Sequence, residues 1–297
     1  MSESVVCFGS AARLVGILTP ARSPAGDERP AIVLLNSGLI HRIAPNRLYV
    51  RLARRLAALG HDCLRFDFSG IGDSSVRRDA LPVEESGVAE TREAMDLLSE
   101  ERPRRRFVLL GLCGGGYFAF RTALVDERVA GVALLNVRGH LHGGDPELGK
   151  RLEELAQRAH YRRIALSPSY RRKNLGKILR GEFDRRGALR SLLRRHPDDG
   201  ATVVGRRRDL DALDGRGVRQ LHLYSEGDWS LDYVEAALGG AASEELSGAG
   251  SRFELLPGTN HVFTPRWSQD EVERLVADWA DSMGSGNDPR RTDAAAT

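Results

Sequence analysis

The chain has 297 residues, 41% of them hydrophobic, and a formal net charge of only +3, from 44 Lys or Arg against 41 Asp or Glu. That length supports one large domain with a sizeable core and room for an insertion. Three cysteines, Cys7, Cys63 and Cys113, are too few and too scattered for a disulfide framework or a thiolate metal site, and no apolar run approaches the roughly 18 residues a membrane helix needs; a cytoplasmic protein with free thiols and no membrane partner is expected.

Short apolar runs alternate with helical patterns along most of the chain. LVGIL at 14–18, AIVLL at 31–35, CLRFDF at 63–68, RFVLLG at 106–111, VAGVALLN at 129–136, RQLHLYS at 219–225 and SRFELLP at 251–257 predict strands. After the second of these, NRLYVRLARRLAALG places Leu48, Leu52, Leu56 and Leu59 on one helical stripe that stops at Gly60. VAETREAMDLLSEE at 88–101 and DEVERLVADWADSM at 270–283 repeat the pattern. Strands separated by helices predict a mostly parallel sheet covered on both faces, an α/β architecture.

The rhythm breaks between Arg138 and Gly217, where the chain is charged and helix-prone. We expect a helical cap at 138–216 inserted into a core built from 1–137 and 217–283, with loops at 23–30 and 238–250 and a disordered tail at 284–297. From Arg138 to Arg216 there are 20 Lys or Arg against 11 Asp or Glu, a balance of +9, while the rest of the chain carries −6. Arg outnumbers Lys 41 to 3, so arginine abundance alone does not indicate nucleic acid, and no nucleic-acid partner is expected.

The densest chemical signal is VLLGLCGGGYFAF at 108–120, a strand, a glycine cluster with Cys113 at the turn, and a helix. This is the pattern of a nucleophile elbow with Cys in place of the usual Ser. Such a turn strains the nucleophile's backbone and needs tiny neighbours, a need that Gly111, Gly114 and Gly115 meet. The helix that follows aims its N-terminal amides at the turn, favouring a thiolate and any oxyanion formed there. A phosphate-cradling glycine loop would require the Lys-Ser/Thr ending of a P-loop, which is absent. Cys7 and Cys63 have no such glycine setting and are expected to be small packing residues.

A thiol nucleophile needs a base and a group that orients the base. Asp228 lies just past the strand at 219–225, and His261 lies in a loop before the final helix, so the order Cys113, Asp228, His261 matches nucleophile, acid, histidine. Glu226 and Asp232 are rivals for the acid. Of the other histidines, His61, His160 and His196 are expected at the surface and His222 packed. Earlier, LLNSGLIHR follows a strand in the position of an oxyanion loop; there the backbone N–H groups of Leu39 and Gly114 would meet, and Gly38 must stay small for substrate to approach.

With these residues assembled, the chain resembles the α/β-hydrolase superfamily over about residues 5–283. FDFSGIGDSS at 66–75 looks like the aspartate-glycine loop of that superfamily. More narrowly, LRFDFSGIGDS, GLCGG, SEGDWSLDYV and NHVFT together resemble the cysteine-bearing hydrolases associated with exosortase systems and their relatives in biosynthetic clusters. The resemblance implies an α/β-hydrolase fold, a Cys113-His261-Asp228 triad, no cofactor and no metal. It also implies that HRIAPNR at 41–47 faces the site, with His41, Arg42 and Asn46 as substrate-binding candidates; Arg138 is a further one. Dienelactone hydrolases also use Cys on this fold but lack an insertion of this size.

Sulfur chemistry narrows the reaction. A thioester acyl-enzyme forms uphill from a plain ester or amide and nearly at balance from another thioester, so activated acyl groups are favoured. The expected function is a thioesterase or an acyltransferase or cyclase, acting on an acyl thioester held by an acyl or peptidyl carrier protein or by coenzyme A, whose acidic character the basic insertion would suit. A hydrolase of lactones or carbon–carbon bonds, and a non-catalytic ligand-binding protein on the same fold, remain as alternatives.

Overall fold

The computed structural model describes residues 2–22, 29–100, 106–142, 145–166, 207–248 and 250–284. Eight strands run β1 (Ser4–Phe8), β2 (Leu14–Thr19), β3 (Ala31–Leu35), β4 (Cys63–Phe66), β5 (Phe107–Leu112), β6 (Val129–Leu135), β7 (Arg219–Ser225) and β8 (Ser251–Leu256). Their order across the sheet is β1-β2-β4-β3-β5-β6-β7-β8. β2 pairs antiparallel with β1 and with β4, and every other pairing is parallel. This is the α/β-hydrolase fold. Among the described residues no helix is long and apolar enough to cross a membrane.

The central strands are buried along their whole length because helices cover both faces, which is why β3 and β5 are uninterrupted apolar runs rather than alternating ones. Alternate residues still part to opposite sides. Val33, Leu35, Leu109 and Leu134 join a core with helices α2 (Val83–Ser99) and α3 (Gly114–Val125). Ile32, Leu34, Val108 and Leu110 join a second core with α1 (Leu48–Ala58) and the helix Arg266–Asp281 near the end of the chain. On α1 the predicted stripe delivers Leu48, Leu52 and Leu56 to that core, and the chain leaves the helix through Gly60 at φ +96°.

Between β6 and β7 lie α4 (Pro146–Leu166) and α5 (Arg208–Gly215). Leu152 and Ala156 of α4 and Leu210 and Leu213 of α5 are buried in the first core, and Arg216 donates to the carbonyls of Ala123, at 2.5 Å, and Asp126, at 3.0 Å. Most of the predicted insertion, at 167–206, lies outside the described residues, as do the segments 23–28 and 285–297. After β7 come α6 (Trp229–Leu238), the short α7 (Ala242–Glu245) inside the predicted loop 238–250, and, after β8, α8 (Arg266–Asp281).

Three expectations need correcting. The strand at β1 carries no long apolar run: as an edge strand its Ser4, Val5 and Cys7 are exposed, so Cys7 is not a packed residue, whereas Cys63 is buried. His61 is buried, and its Nδ1 lies 2.8 Å from the Pro30 carbonyl. His160 is only partly exposed and sits 2.7 Å from Asp232. His222 is packed as expected, and burial pushes its imidazole down to about 3, so it stays neutral.

Candidate active site

The C-terminal ends of β3 to β8 converge, and the loops that leave them carry the site. β5 runs into α3 through Cys113, whose backbone sits at φ +54°, ψ −119°, a conformation costing a non-glycine residue about 1–3 kcal/mol. The surroundings hold it there. Cys113 N–H donates to the Leu135 carbonyl at 2.9 Å, and the Cys113 carbonyl accepts from Gly116 at 3.1 Å. A Cβ on Gly111 would overlap the Gly115–Gly116 backbone, one on Gly115 would lie against the carbonyls of Leu35 and Asn36, and one on Gly116 would overlap Val137. Three glycines are therefore required by close approach, with Gly116 taking the place assigned to Gly114 from the sequence. A Cβ on Gly114 would meet only Gly38, its N at an ordinary 3.4 Å.

The three residues singled out from chain order come together. His261 Nδ1 lies 3.1 Å from both carboxylate oxygens of Asp228, and the imidazole is near enough to the Cys113 thiol for each to shift the other's protonation. Asp228 caps α6, accepting from the Ser230 N–H at 2.9 Å and from the Ser230 hydroxyl. Its rival Asp232, one turn further along α6, is fully buried and pairs instead with His160 and, at 3.0 Å, with Arg163.

Charge follows this geometry. The hydrogen bond from His261 holds the Cys113 thiol below the ordinary thiol range against the opposing cost of burial, helped by the Gly114 backbone N–H and by the positive field of Arg138. Burial works against the His261 imidazolium, yet the Asp228 and Cys113 bonds outweigh it and push His261 up to about 10. Burial also opposes the Asp228 carboxylate, and the His261 bond nonetheless holds it low. Both shifts favour the charged forms, thiolate for Cys113 and imidazolium for His261.

The loop after β3 is pinned from below. Asn36 donates to the Ile40 carbonyl at 2.8 Å and to Asp67 at 3.1 Å, and accepts from Phe68 N–H at 2.7 Å. Asp67 accepts the Arg42 backbone N–H at 2.6 Å and pairs with the Arg42 guanidinium, which reaches Asp73 at 2.7 Å. Arg42 is thus buried and neutralised by two carboxylates, while Leu39 at the loop tip is 90% exposed and Asn46 is exposed. His41 Nε2 lies 2.8 Å from Arg42. Although His41, Asp67 and Asp73 have ligand atoms within 4.8 Å of one another, the Arg42 cation already occupies both carboxylates.

Two contributors escaped the sequence reading. Asn136, at φ +46° just past β6, donates to the His261 carbonyl at 2.8 Å and to Ser225 Oγ at 2.9 Å, and accepts from Ser225 N–H at 2.7 Å, so it ties the histidine loop to β7. An Asn at a strand end is tolerant of this left-handed backbone, the one signal available. Trp229 has the Arg138 guanidinium 5.2 Å from its ring centroid, a contact between residues far apart in the chain.

Residues 27–177 match the family model described as serine aminopeptidase, S33. Among solved structures, a putative α/β hydrolase of unknown function from Agrobacterium tumefaciens aligns with TM-score 0.55 at 14% identity, over 96% of this chain and 98% of that one. Proline iminopeptidase from Mycobacterium smegmatis aligns with TM-score 0.54 at 16% identity, over 95% and 99%. A thermostable carboxyl esterase from Bacillus coagulans gives 0.56 at 13%, over 95% and 98%. At these identities the likeness is one of fold. No curated protein matches the chain.

Proposed function

The chain belongs to the α/β-hydrolase family described as serine aminopeptidase, S33, and from that premise we propose that it is an acyl-transferring enzyme in which Cys113 is the nucleophile, His261 the acid-base and Asp228 the group that orients His261. The observation that best supports this reading is the His261–Asp228 hydrogen bond brought beside the Cys113 thiol, at a strained turn facing a helix N-terminus.

In the first step the Cys113 sulfur bonds to the acyl carbon and the bond from that carbon to the leaving group breaks, the leaving group taking the proton from His261. Between those events the negative charge sits on the former carbonyl oxygen. The N–H groups of Gly114 and Leu39 receive it, each such donor typically being worth about 3 kcal/mol. In the second step water, an amine or a thiol gives its proton to His261 and attacks the thioester carbon, and the carbon–sulfur bond breaks to restore the thiolate. Because the intermediate is a thioester, activated acyl donors fit the energetics best, and the acceptor decides between hydrolysis, transfer and ring closure. The basic segment from Arg138 to Arg216 suits a donor on an acidic carrier protein or coenzyme A.

Intact-protein mass after exposure to a panel of acyl thioesters tests this. Wild type is expected to gain one acyl group, Cys113→Ala none, and His261→Ala to acylate about 100-fold more slowly. An adduct that survives Cys113→Ala, or no adduct and no turnover with any donor, overturns the reading.

A further inference from the structure

Arg138 differs from every other cation at the site. It is exposed, in the loop that leaves β6, three residues past the Leu135 carbonyl that accepts from Cys113. Its guanidinium rests on Trp229, which directly follows Asp228 and also stacks on His160, with ring centroids 6.5 Å apart and planes 16° from parallel. His160 is fixed by Asp232 at 2.7 Å, and Arg163 holds the same carboxylate at 3.0 Å. The pile of Arg138, Trp229 and His160 therefore joins the β6 loop, α6 and α4.

Stacking on an indole holds a guanidinium in place without neutralising it and without using its N–H groups. Among the described residues no hydrogen bond or ion pair engages Arg138. Arg42, in the loop after β3, instead has its fork taken by Asp67 and Asp73. Arg42 is consumed by the scaffold, whereas no described residue engages the Arg138 fork, which rests on the indole next to Asp228. A planar five-donor fork is matched by a carboxylate, which it can grip through two parallel bonds.

We propose that Arg138, held by Trp229, is the binding arm for a carboxylate carried on the acyl group that Cys113 attacks, so that the preferred donors are half-thioesters of dicarboxylic acids. This rests on the reading of Cys113 as nucleophile. The place of Arg138, stacked on the residue next to Asp228 and three residues past the carbonyl that holds Cys113, favours an anion on the acyl side of the thioester over a phosphate at the far end of a pantetheine arm.

Two readouts test it on the full chain. The first is the ratio of Cys113 alkylation rates with iodoacetate and iodoacetamide; any change in thiolate fraction affects both reagents alike and cancels. Arg138→Gln and Trp229→Leu are expected to lower that ratio about fivefold, and Arg138→Lys to restore most of it. Raising the salt concentration should shrink the wild-type ratio. The second is turnover of succinyl against butyryl thioesters, each as the N-acetylcysteamine and the coenzyme A form. Wild type should prefer succinyl in both forms, and Arg138→Gln should lose that preference about tenfold. Alkylation by iodoacetamide with a ratio that Arg138→Gln leaves unchanged overturns the anion arm alone. A defect confined to coenzyme A thioesters, regardless of acyl group, assigns Arg138 to a phosphate and overturns the acyl-borne carboxylate. A Cys113 inert to both reagents removes the catalytic reading and the arm together.

Discussion

Two aspartate–histidine pairs sit one helical turn apart on α6. Asp228 and His261 meet at 3.1 Å, Asp232 and His160 at 2.7 Å, so distance alone would favour the second as the catalytic pair. What separates them is what lies beyond the imidazole. His261 has the Cys113 thiol on its other side, and sulfur and carboxylate together push it up to about 10. His160 has an indole against its ring and shares its aspartate with Arg163. On the proposed reading the first pair moves a proton to and from a reacting group, whereas the second ties α4 to α6 beside Trp229. The same two residue types become machinery or framework according to whether a nucleophile completes the series.

The largest expected effect comes from exchanging the pairs' carboxylates. Asp228→Asn should slow Cys113 acylation about 1,000-fold, because the imidazole loses both its orientation and its stabilising charge. Asp232→Asn should leave the acylation rate per folded molecule within about threefold, and instead lower stability by about 1–2 kcal/mol, since His160 and Arg163 both lose a buried carboxylate while Arg163 keeps Glu235. Chemical denaturation and single-turnover acylation measure the two separately, and a reversed pattern would make Asp232 the orienting acid. A smaller change is expected from Asn136→Ala, which frees the His261 loop from β7: acylation about tenfold slower, with the upper limb of the pH profile shifted. Ser230→Ala removes the hydroxyl donor to Asp228 and should cost only about threefold, since the Ser230 backbone N–H still holds the carboxylate.

The pH dependence sharpens the same contrast. Acylation requires Cys113 as thiolate, so the rate falls at acid pH as the sulfur takes a proton, at a value below the ordinary thiol range because Cys113 is shifted down. It requires His261 as imidazolium to protonate the leaving group, so the rate falls again as pH rises through about 10, where His261 has been pushed up. The plateau thus lies between the lowered Cys113 limb and the raised His261 limb, and Asp228→Asn should narrow it from the alkaline side.

Much of this was legible in the chain. β3, β5 and β6 announce themselves because parallel strands buried on both faces must be apolar throughout, and the elbow does because only glycine fits where Gly111 and Gly115 approach neighbouring backbone. β1 was not legible, since an edge strand with Ser4, Val5 and Cys7 facing solvent carries no apolar run. Asp228 and Asp232 were inseparable by position, because four residues make about one helical turn; the capping of α6 by Asp228 is what aims it at His261. Arg42 looked like a substrate contact, yet the carboxylates that neutralise it come from the loop after β4, and no local pattern ties residue 42 to residues 67 and 73. Arg138 on Trp229 is likewise a product of the fold.

The most direct measurement is the rate of Cys113 alkylation by iodoacetamide from pH 5 to 10, in wild type and in His261→Ala. The wild-type rate is expected to rise at lower pH than that of His261→Ala, whose profile should rise only toward the free-thiol value of about 8.5, leaving the variant the slower of the two at pH 7. Superimposable profiles, both rising near pH 8.5, would contradict the thiolate–imidazolium pair and with it the assignment of Cys113 as nucleophile.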